Sequence, residues 1–577
     1  MAQRRKSPQK SKKRPYAKKS EGASVTPQVE PPEELAEAKR ALKDARGGDA
    51  IVRAARAVLT IEPTDPDAHH KLAEVQIARG APAEAAATLA RALKVNPDDE
   101  VLLNRYVVQA AKSDALWDAL CAARHWVEVA RERRAPAVRV LAGLYGLVGV
   151  EGTSQRWARE AALLQPLTTA KAQGQERLRI LVLGTIASGS YRYRPQTAGM
   201  ATSEGHNNLA QMLDGNAITR HYFSVDRLDD HPELIRQIPD VDIIYNGITD
   251  ASRCERALNN AGWLCGELGL PVINPPSEVL RTTREENAER LGNAEGVLLP
   301  RSIPLGELEG DIGETITQAV QQHGLKAPVI MRAAGFQNGR NMHLIDDPEN
   351  VRVRLAEPAE VYLLQYHDVT YTDPRAPEHR LHPKYRAFMA GGKLYPIHLR
   401  VGHDGEWNVH IHESNRTFHK FPWLFDEEQD FLERPAEQFE PGCWEKLENA
   451  LRRIDLDYFG VDFAICTDPG NAGDVVIFEA NASMRSFLVD TYQNTPENEA
   501  ARVVIEAMHA HFCDRAGVAR WDFQLPEGKD TPASEQGFAE SQAPVVQHQL
   551  IFSGKVQGVG FREWVRHELH KHALSGW

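Results

Sequence analysis

Cysteine is scarce in this 577-residue chain, and its six cysteines are scattered without a Cys-x-x-Cys pair. This pattern argues against a disulfide framework or a cysteine-rich zinc site and is typical of reduced thiols in the cytosol. Long apolar runs are also missing, since none approaches the roughly 20 residues of a membrane helix. No apolar segment follows the charged N-terminus, so no secretory signal is indicated. We expect a cytoplasmic protein without a membrane partner.

Acidic residues are absent from residues 1–20, which carry nine lysines and arginines, whereas the whole chain has a net charge of −12. A segment of this composition cannot bury enough apolar surface to fold, so we expect residues 1–33 to form a disordered basic tail. The tail could contact nucleic acid or an acidic surface, although a plain solvated tail fits the same pattern. We expect no nucleic-acid partner elsewhere in the chain.

The composition of the whole chain, with 42% apolar and 26% charged residues, is that of a soluble globular protein. The length predicts three or four domains. We place a helical region at 34–170, an α/β region at 177–515 that divides near 280, and a C-terminal segment at 546–577. Residues 523–545 are polar and aperiodic, as in a linker.

Residues 34–170 are rich in Ala, Leu, Glu and Arg, and we expect helix throughout. A period of 34 residues is visible, because VLTIEP at 58–63 returns as ALKVNP at 92–97. The intervening small and apolar positions resemble those of a tetratricopeptide repeat, with His69 in place of the first aromatic residue. The resemblance implies a concave groove that recruits a peptide or protein partner. A plain helical bundle is the alternative.

From residue 177 onward, apolar strands alternate with helices, which predicts an α/β region. The first strands are RLRILVLG, VDIIYNG and PVINPP, and a helix through CERALNNAGWLCGELG precedes the third. The later strands are VLLPRSIPL, APVIMRAAG, VYLLQYHDV, YRAFMAGGKLYPIHLRV, YFGVDFAIC and DVVIFEAN. A final helix, PENEAARVVIEAMHAHFCDRA, closes the region.

Two apolar strands carry acids and an amide. Asp462 lies on one, and Glu479 and Asn481 lie two residues apart on the next, so the latter two share a face. If the strands pair, Asp462 joins them. Hard oxygen ligands of this kind suit Mg²⁺, and acids within apolar strands are costly unless they bind something. The pattern predicts a magnesium site.

Two other segments fit a nucleotide site only weakly by themselves. Arg332 ends a strand before a turn with Gly335 and Gly339, whose backbone could close over phosphates, although an ordinary hairpin turn is the alternative. In VYLLQYHDV an apolar strand becomes polar at residues 365–368, where backbone groups could contact a purine.

The order and spacing of these three segments resemble the ATP-grasp superfamily over roughly 177–515. The resemblance implies two lobes that clamp ATP with Mg²⁺, and activation of a carboxylate as an acyl phosphate for attack by an amine. Arg284 and Arg332 stand where the family usually has phosphate-binding lysines, and arginine can still fork onto phosphate. The other implied roles are the adenine hinge at Gln365, Tyr366, His367 and Asp368, the metal ligands Asp462, Glu479 and Asn481, phosphate and acyl-phosphate contacts at Lys384, Arg386 and Arg400, and a substrate loop at Arg485.

The histidines of HIHESNRTFHKF (410–421) suggest a metal site at first sight. His410 and His412 would share one face of a strand, but no third ligand of the right type is nearby. We expect an ordinary exposed strand face there.

The C-terminal stretch GKVQGVGFR (554–562) lies between a predicted strand and helix, and its backbone N–H groups with Arg562 form an anion cradle. It resembles the loop of acylphosphatases, in which the arginine holds the phosphate and a later asparagine orients water. The chain ends at Trp577, before that asparagine, and some 30 residues cannot bury their own core. We expect an incomplete βα segment without hydrolase activity.

Taken together, the sequence predicts a multidomain protein with an all-α repeat region, an ATP-grasp α/β region and an acylphosphatase-like βα segment. The leading hypothesis is an ATP- and Mg²⁺-dependent ligase that joins a small-molecule or peptide carboxylate to an amine. The alternatives are an acylphosphatase-type hydrolase, if its domain is complete in the native protein, and a non-catalytic nucleotide-binding scaffold.

Overall fold

The computed structural model describes residues 33–131, 133–188, 191–196, 199–202, 207, 209–333, 342–484 and 496–523. The chain divides into two compact units, Met1–Leu102 and Leu103–Trp577. Consecutive helices occupy the first part of the chain: α1 (Glu33–Asp44), α2 (Gly48–Ile61), α3 (Pro66–Ala78), α4 (Pro82–Val95), α5 (Glu100–Lys112), α6 (Leu116–Val129), α7 (Arg134–Leu147) and α8 (Glu151–Leu164).

The repeat positions of the first unit are core positions. Leu72 and Ala73 of α3 and Leu89 of α4 are buried, and α3 packs against both α2 and α4. His69, which replaces the expected aromatic residue, is also buried, and its Nε2 lies 2.8 Å from the Pro63 carbonyl oxygen. Gly80 has φ of +69° in the turn between α3 and α4, where a side chain would be strained. The 34-residue period therefore follows from helix packing.

In the second unit, helices α6 to α8 are followed by a five-stranded sheet of order β1-β5-β2-β6-β7. Its core strands β5, β2, β6 and β7 are parallel, and β1 pairs antiparallel with β5 at the edge. The elements from this part of the chain are β1 (Leu167–Ala170), β2 (Leu178–Gly184), a separate hairpin of β3 (Tyr191–Arg194) and β4 (Gly199–Thr202), β5 (Ile218–Ser224), β6 (Ile243–Asn246), α9 (Glu255–Leu268) and β7 (Val272–Ile273).

Two further sheets follow, and both are mainly antiparallel. The four-stranded sheet has the order β11-β10-β12-β9, and the five-stranded one has the order β14-β13-β15-β16-β8. Their elements are α10 (Pro276–Leu280), α11 (Arg284–Leu291), β8 (Val297–Leu298), β9 (Ser302–Asp311), α12 (Gly313–His323), β10 (Val329–Ala333), β11 (Met342–Ile345), β12 (Arg354–Gln365), β13 (Leu381–Ala390), β14 (Lys393–His403), α13 (Ile411–Lys420), α14 (Leu424–Glu433), α15 (Cys443–Leu451), β15 (Tyr458–Ile465), β16 (Val475–Asn481) and α16 (Pro496–Ala516). Short 3₁₀ helices lie at Leu209–Met212, Pro232–Gln237 and Pro435–Glu437.

Buried contacts join the sheet of order β1-β5-β2-β6-β7 to the sheet of order β14-β13-β15-β16-β8, which is called the β13–β16 sheet below. Buried Asn274, which follows β7, accepts a hydrogen bond from the Tyr458 N–H at 2.8 Å and donates Nδ2 to the Tyr458 carbonyl at 2.7 Å. The apolar face of α16, including Met508 and Phe512, shares one core with Phe388 of β13 and Ile180 of β2. The β13–β16 sheet therefore has a fixed position within the second unit.

The predicted fold class, helical repeats followed by an α/β region, is confirmed for the described residues. Four local predictions were wrong. Leu167–Ala170 was expected to be helical but forms strand β1, and residues 411–420 form helix α13 rather than a strand. VLLPRSIPL and YRAFMAGGKLYPIHLRV each contain two strands rather than one. His410 is the N-cap of α13 and forms a capping box with Glu413.

No helix in the described part of the chain combines the length and the apolar character needed to cross a membrane.

Candidate active site

The charged residues predicted from the sequence form a row across the β13–β16 sheet. Arg386 of β13 is directly opposite Asp462 of β15, and Asp462 is directly opposite Glu479 of β16. Residues directly opposite one another share a face of the sheet, as do residues two apart along a strand. Lys384 and Asn481 therefore lie on the same face as the row. The strand register thus brings the three predicted metal ligands together.

Asp462 is the buried centre of this row, with only 5% of its surface exposed. Arg386 donates to both of its carboxylate oxygens, Nε to Oδ1 at 2.6 Å and Nη2 to Oδ2 at 2.8 Å, and Lys384 Nζ lies 3.8 Å from Oδ2. Burial alone would raise the pKa of Asp462, but the charge and hydrogen bonds of Arg386, helped by Lys384, hold that pKa below its usual value. Asp462 is therefore an anion at neutral pH.

Glu479 and Asn481 are coupled at the exposed end of the row. Asn481 Nδ2 donates to Glu479 Oε1 at 2.8 Å, and Asn481 Oδ1 accepts from the N–H groups of Ser483 and Met484. Glu479 is exposed. The set offers carboxylate and amide oxygens, the donors that Mg²⁺ prefers, and carboxylate oxygens can accept more than one interaction each. The donor chemistry therefore fits a magnesium ion.

Buried polar residues that the sequence analysis missed hold the end of β16 in place. Asn287 of α11 donates Nδ2 to the Ala480 carbonyl at 2.8 Å. Asn207 donates Nδ2 to the carbonyls of Ala482 and Met484 at 3.2 and 3.0 Å. Each satisfies backbone groups that would otherwise be buried without partners. The only sequence signal for Asn287 was a buried position in a short helix, and Asn207 lies outside the helices, so neither could identify a site.

A cavity of about 310 Å³ lies over the row. The described residues that line it include Arg284, Arg332, Gln365, Tyr366, His367, Lys384, Arg386, Asp462 and Glu479. Arg332 belongs to β10 and Tyr366 follows its neighbour β12, so the cavity lies between the four-stranded and the five-stranded sheet. Asn481 lines a smaller adjoining cavity together with Arg284 and Glu479. The cavity thus gathers most of the predicted site residues.

Arg284 and Arg332 place two positive charges on the cavity wall. Burial and the charge of Arg284 both lower the pKa of Arg332, although a guanidinium remains charged at neutral pH. Arg284, the first residue of α11, also donates Nη1 to the Phe478 carbonyl at 3.4 Å. Within the described residues the guanidinium of Arg332 makes no hydrogen bond or ion pair. A pair of cations held this close favours binding of a polyanion.

The predicted hinge, residues 365–368, has two side chains that stabilise the loops. Gln365 accepts from the Lys326 N–H at 3.2 Å and donates Nε2 to the Lys326 carbonyl at 3.0 Å. Asp368 accepts from Thr370 and from Arg380, the latter at 2.8 Å. These side chains position the hinge. Tyr366 and His367 also line the cavity, and His367 Nδ1 lies 3.3 Å from Asp468 Oδ2.

A larger cavity of about 960 Å³ adjoins the hinge. It shares Gln365, Tyr366, His367, His382 and Trp407 with the cavity over the charged row. The sequence analysis singled out neither His382 nor Trp407, because a histidine within an apolar strand and a tryptophan in a short loop have no distinctive spacing. Because they share these lining residues, the two cavities adjoin each other at the hinge.

Arg400, on β14, is not among the described residues that line either cavity. Its Nη2 donates to Glu497 of α16 at 2.8 Å, and it lies opposite Lys384 in the sheet. Buried His398, opposite Arg386, is its neighbour on the same face. Burial and the nearby cations Arg400, Arg386 and Lys384 place the pKa of His398 well below its usual value, so the imidazole is neutral. Arg400 was expected to contact phosphate, but in the structure it forms an ion pair with Glu497 and does not line either cavity.

Four predicted site residues lie outside the described residues, namely Gly335, Gly339, Arg485 and Arg562. The strands that flank the glycine turn are described, and they pair antiparallel with Arg332 opposite Met342. The predicted linker and the acylphosphatase-like segment also lie outside, apart from Phe523.

Comparisons with known proteins match separate parts of the chain. Residues 34–104 match the family model for the tetratricopeptide repeat, and residues 548–577 match that for acylphosphatase. Over 33 residues the chain is 52% identical to an acylphosphatase from Bacillus licheniformis, which is 6% of this chain and 37% of that protein. The chain thus spans 37% of the length of this curated relative.

Two groups of solved structures are similar at low identity. The ATP-grasp ligase PsnB, complexed with precursor peptide PsnA2 and AMPPNP, is 15% identical with a TM-score of 0.29, covering 57% of this chain and 98% of that one. The MamA protein is 18% identical with a TM-score of 0.20, covering 23% of this chain and 70% of that one. In these comparisons residues 34–104 are similar to tetratricopeptide repeats, residues 548–577 are similar to acylphosphatase, and 57% of the chain aligns with a solved ATP-grasp ligase.

Proposed function

We propose that this protein is an ATP-dependent ligase that activates a carboxylate as an acyl phosphate and joins it to an amine. The observation that carries the proposal is the register of β13, β15 and β16, which places Asp462, Glu479 and Asn481 on one face beside Lys384 and Arg386. That face forms the floor of a cavity whose wall carries two more arginines. Acids that bind a cation and bases that bind phosphate are the combination that ATP chemistry needs.

The proposed reaction has two steps. A carboxylate oxygen attacks the γ-phosphorus of ATP, and the bond to the departing ADP breaks. The amine nitrogen then attacks the acyl carbon, phosphate leaves, and the nitrogen loses a proton. Both substrates of the first step are anions, so their repulsion must be offset by positive charge that is already in place. Arg284, Arg332 and Lys384 are positioned to supply that charge.

Arg386 has a double role in this proposal. Two of its nitrogens hold Asp462, and the guanidinium remains part of the cavity lining. It keeps the Asp462 carboxylate charged and oriented, and its own charge faces the space where phosphate would lie. Magnesium held by Asp462, Glu479 and Asn481 would neutralise phosphate oxygens.

The hinge would receive the adenine ring. Gln365 and Asp368 fix the hinge through their hydrogen bonds to Lys326, Thr370 and Arg380, so the backbone of residues 365–368 is held in one position. Tyr366 and His367 line the cavity on this side. A fixed backbone lowers the ordering cost of binding a planar base.

We extend the proposal to the domain boundaries predicted from the sequence. The helical region at 34–170 would recruit a peptide or protein that carries the carboxylate or the amine, and the region at 177–515 would carry out the ligation. The chain therefore would act on a partner held by its own repeat region.

The proposal is tested by measuring ADP release from the full-length protein with pools of amino acids and peptides. We expect release that requires both ATP and Mg²⁺ and that rises when the correct substrates are present. Glu479→Gln should abolish that release, whereas Glu360→Gln, at an exposed glutamate of β12, should leave it unchanged. Substrate-dependent ADP release that persists in Glu479→Gln would exclude the assignment.

A second candidate function rests on the 52% identity of the C-terminal segment to an acylphosphatase. If the domain is complete in the native protein, its loop with Arg562 would bind the phosphate of an acyl phosphate, which water would hydrolyse. Phosphate release from an added acyl phosphate without ATP would indicate this activity, and its loss in Arg562→Ala would assign it to the cradle. Absence of both activities would favour a nucleotide-binding scaffold.

A further inference from the structure

Three side chains outside the charged row converge where two loops meet. His367 follows β12, and Cys466 and Asp468 follow β15. His367 Nδ1 lies 3.3 Å from Asp468 Oδ2, Cys466 Sγ lies 3.6 Å from the same oxygen, and the three ligand atoms all lie within 4.8 Å of one another. Each belongs to a residue type that binds transition metals.

Backbone hydrogen bonds join the two loops and fix the loop that carries Cys466 and Asp468. The Thr467 N–H donates to the Asp368 carbonyl at 2.7 Å, and the Cys466 N–H donates to the Asp474 carbonyl at 2.8 Å. The residues between and beside the three side chains are therefore fixed by main-chain contacts and not by the cluster itself. The ligand atoms are brought together before any ion binds, which lowers the ordering cost of binding.

We propose that His367, Cys466 and Asp468 bind a zinc ion, with the fourth coordination position open to the larger cavity. Tetrahedral zinc with bonds of about 2.0 Å to nitrogen and oxygen and about 2.3 Å to sulfur separates nitrogen from oxygen by ~3.3 Å and sulfur from oxygen by ~3.5 Å. The observed separations of 3.3 and 3.6 Å agree with this geometry.

The donor set also selects the type of metal. A thiolate, an imidazole and one carboxylate suit zinc, whereas the oxygen-only set of Asp462, Glu479 and Asn481 suits magnesium. His367 and Asp468 line the larger cavity, which gives an ion a path to the buried Cys466. Binding would displace the thiol proton to solvent. The sequence did not reveal this site, because His367 lies 101 residues before Asp468 and the three ligands lack the spacing of known zinc motifs.

The test uses cobalt(II) as a spectroscopic substitute for zinc in the full-length protein. We expect visible d–d bands of tetrahedral intensity and a near-ultraviolet thiolate-to-cobalt charge-transfer band, both removed by one equivalent of zinc. The charge-transfer band should disappear in Cys466→Ser and remain in Cys121→Ser, which changes an exposed cysteine. The histidines near the C-terminus could bind cobalt, but residues 546–577 contain no cysteine and cannot give this band.

Two further variants cover the case in which Cys466→Ser fails to fold. Asp468→Asn and His367→Gln change partly exposed side chains, and each should weaken zinc binding at least tenfold in competition with a chelating dye. A wild-type protein without a charge-transfer band, or with one that persists in Cys466→Ser, would overturn the proposal. Unchanged zinc affinity in both Asp468→Asn and His367→Gln would also overturn it.

Discussion

At the residue scale, the contrast between Asp462 and Glu479 separates stability from binding. Asp462 is buried against Arg386 and Lys384, whereas Glu479 is exposed. Removing one partner of a buried ion pair leaves an uncompensated charge in a poorly solvated place, while removing an exposed charge leaves the fold largely unaffected. Neutralising Asp462 should therefore lower the stability of the protein more than neutralising Glu479 does, although both acids belong to one proposed metal site.

We predict that Asp462→Asn lowers the free energy of unfolding by about 2–4 kcal/mol, because Arg386 loses its counter-charge. Arg386 is 26% exposed, which keeps the loss below that of a fully buried pair. Glu479→Gln should change it by less than about 0.5 kcal/mol. Urea unfolding followed by tryptophan fluorescence checks both. Equal stability of Asp462→Asn and the wild type would show that the pair does not stabilise the sheet.

Glu428 of α14 gives a pH-dependent prediction. Burial raises its pKa to about 7, although the Leu399 N–H and the charge of Arg400 oppose this rise, and Glu497 adds to it. A carboxyl whose pKa is raised by folding binds more protons in the folded state, so its contribution to stability falls as the pH rises from about 4.5 to 7.

We expect Glu428→Gln to be near neutral at pH 4.5 and to stabilise the protein by about 1–2 kcal/mol at pH 8, because glutamine keeps an acceptor for the Leu399 N–H without the charge. Thermal unfolding midpoints of both proteins across this pH range provide the measurement. A midpoint difference that stays constant with pH would argue against a raised pKa.

The acids of the row and their basic neighbours could be identified from the sequence, because charged side chains within apolar strands are costly unless they bind something. The sequence did not reveal that Arg386 would hold Asp462 or that Arg400 would pair with Glu497. Those contacts depend on strand register and on where α16 packs, and both are set by side chains distant in the chain. Asn207 and Asn287 were missed for the same reason.

At the element scale, the close approach of β15 to the turn after β16 fixes the position of Asn481. Gly460 is opposite Asn481, and a Cβ at Gly460 would lie 2.6 Å from Met484 Cβ and 2.8 Å from Phe388 Cζ. Neither neighbour can move freely, since Phe388 is fully buried and Met484 is nearly so. Glycine is required here by contact and not by backbone conformation.

We predict that Gly460→Ala destabilises the protein by about 1–3 kcal/mol and weakens Mg²⁺-dependent nucleotide binding, because β15 and the 481–484 turn must separate. The control is Gly184→Ala at the end of β2, where a Cβ would meet nothing within 4 Å. Unfolding and nucleotide titrations of both variants are the measurements. Full binding by Gly460→Ala would contradict the claim that this contact positions Asn481.

The type of each element could be predicted where the pattern of apolar residues was strong. The prediction failed where contacts with other residues decide the structure. The strands at Tyr458–Ile465 and Val475–Asn481 were apparent from their apolar runs. HIHESNRTFHK alternates in a way that suggests a strand, yet the capping box of His410 with Glu413 begins a helix there. Leu167–Ala170 is a strand because it pairs with the edge of β5, a partner about 50 residues further along the chain.

At the scale of the whole molecule, the division into Met1–Leu102 and Leu103–Trp577 separates most of the matched repeat region from the proposed ligase. All charged residues of the candidate site belong to the second unit. Recruitment and chemistry should therefore be separable.

We predict that a protein starting at Pro97 retains folded secondary structure by circular dichroism and keeps basal Mg²⁺-dependent ATP turnover within about twofold, because no residue of the proposed site is removed. The KM of its peptide or protein substrate should rise, since the repeat groove is lost. A fall in kcat with an unchanged KM would contradict the proposed recruiting role.

The most direct test of the central claim is the binding of a fluorescent ATP analogue as Mg²⁺ is titrated, since it requires no knowledge of the carboxylate or the amine. The account predicts that Mg²⁺ strengthens binding to the wild type and to Glu360→Gln, and that Glu479→Gln binds at least tenfold more weakly with Mg²⁺ but equally well without it. Identical Mg²⁺-dependent affinities for Glu479→Gln and the wild type would contradict the account.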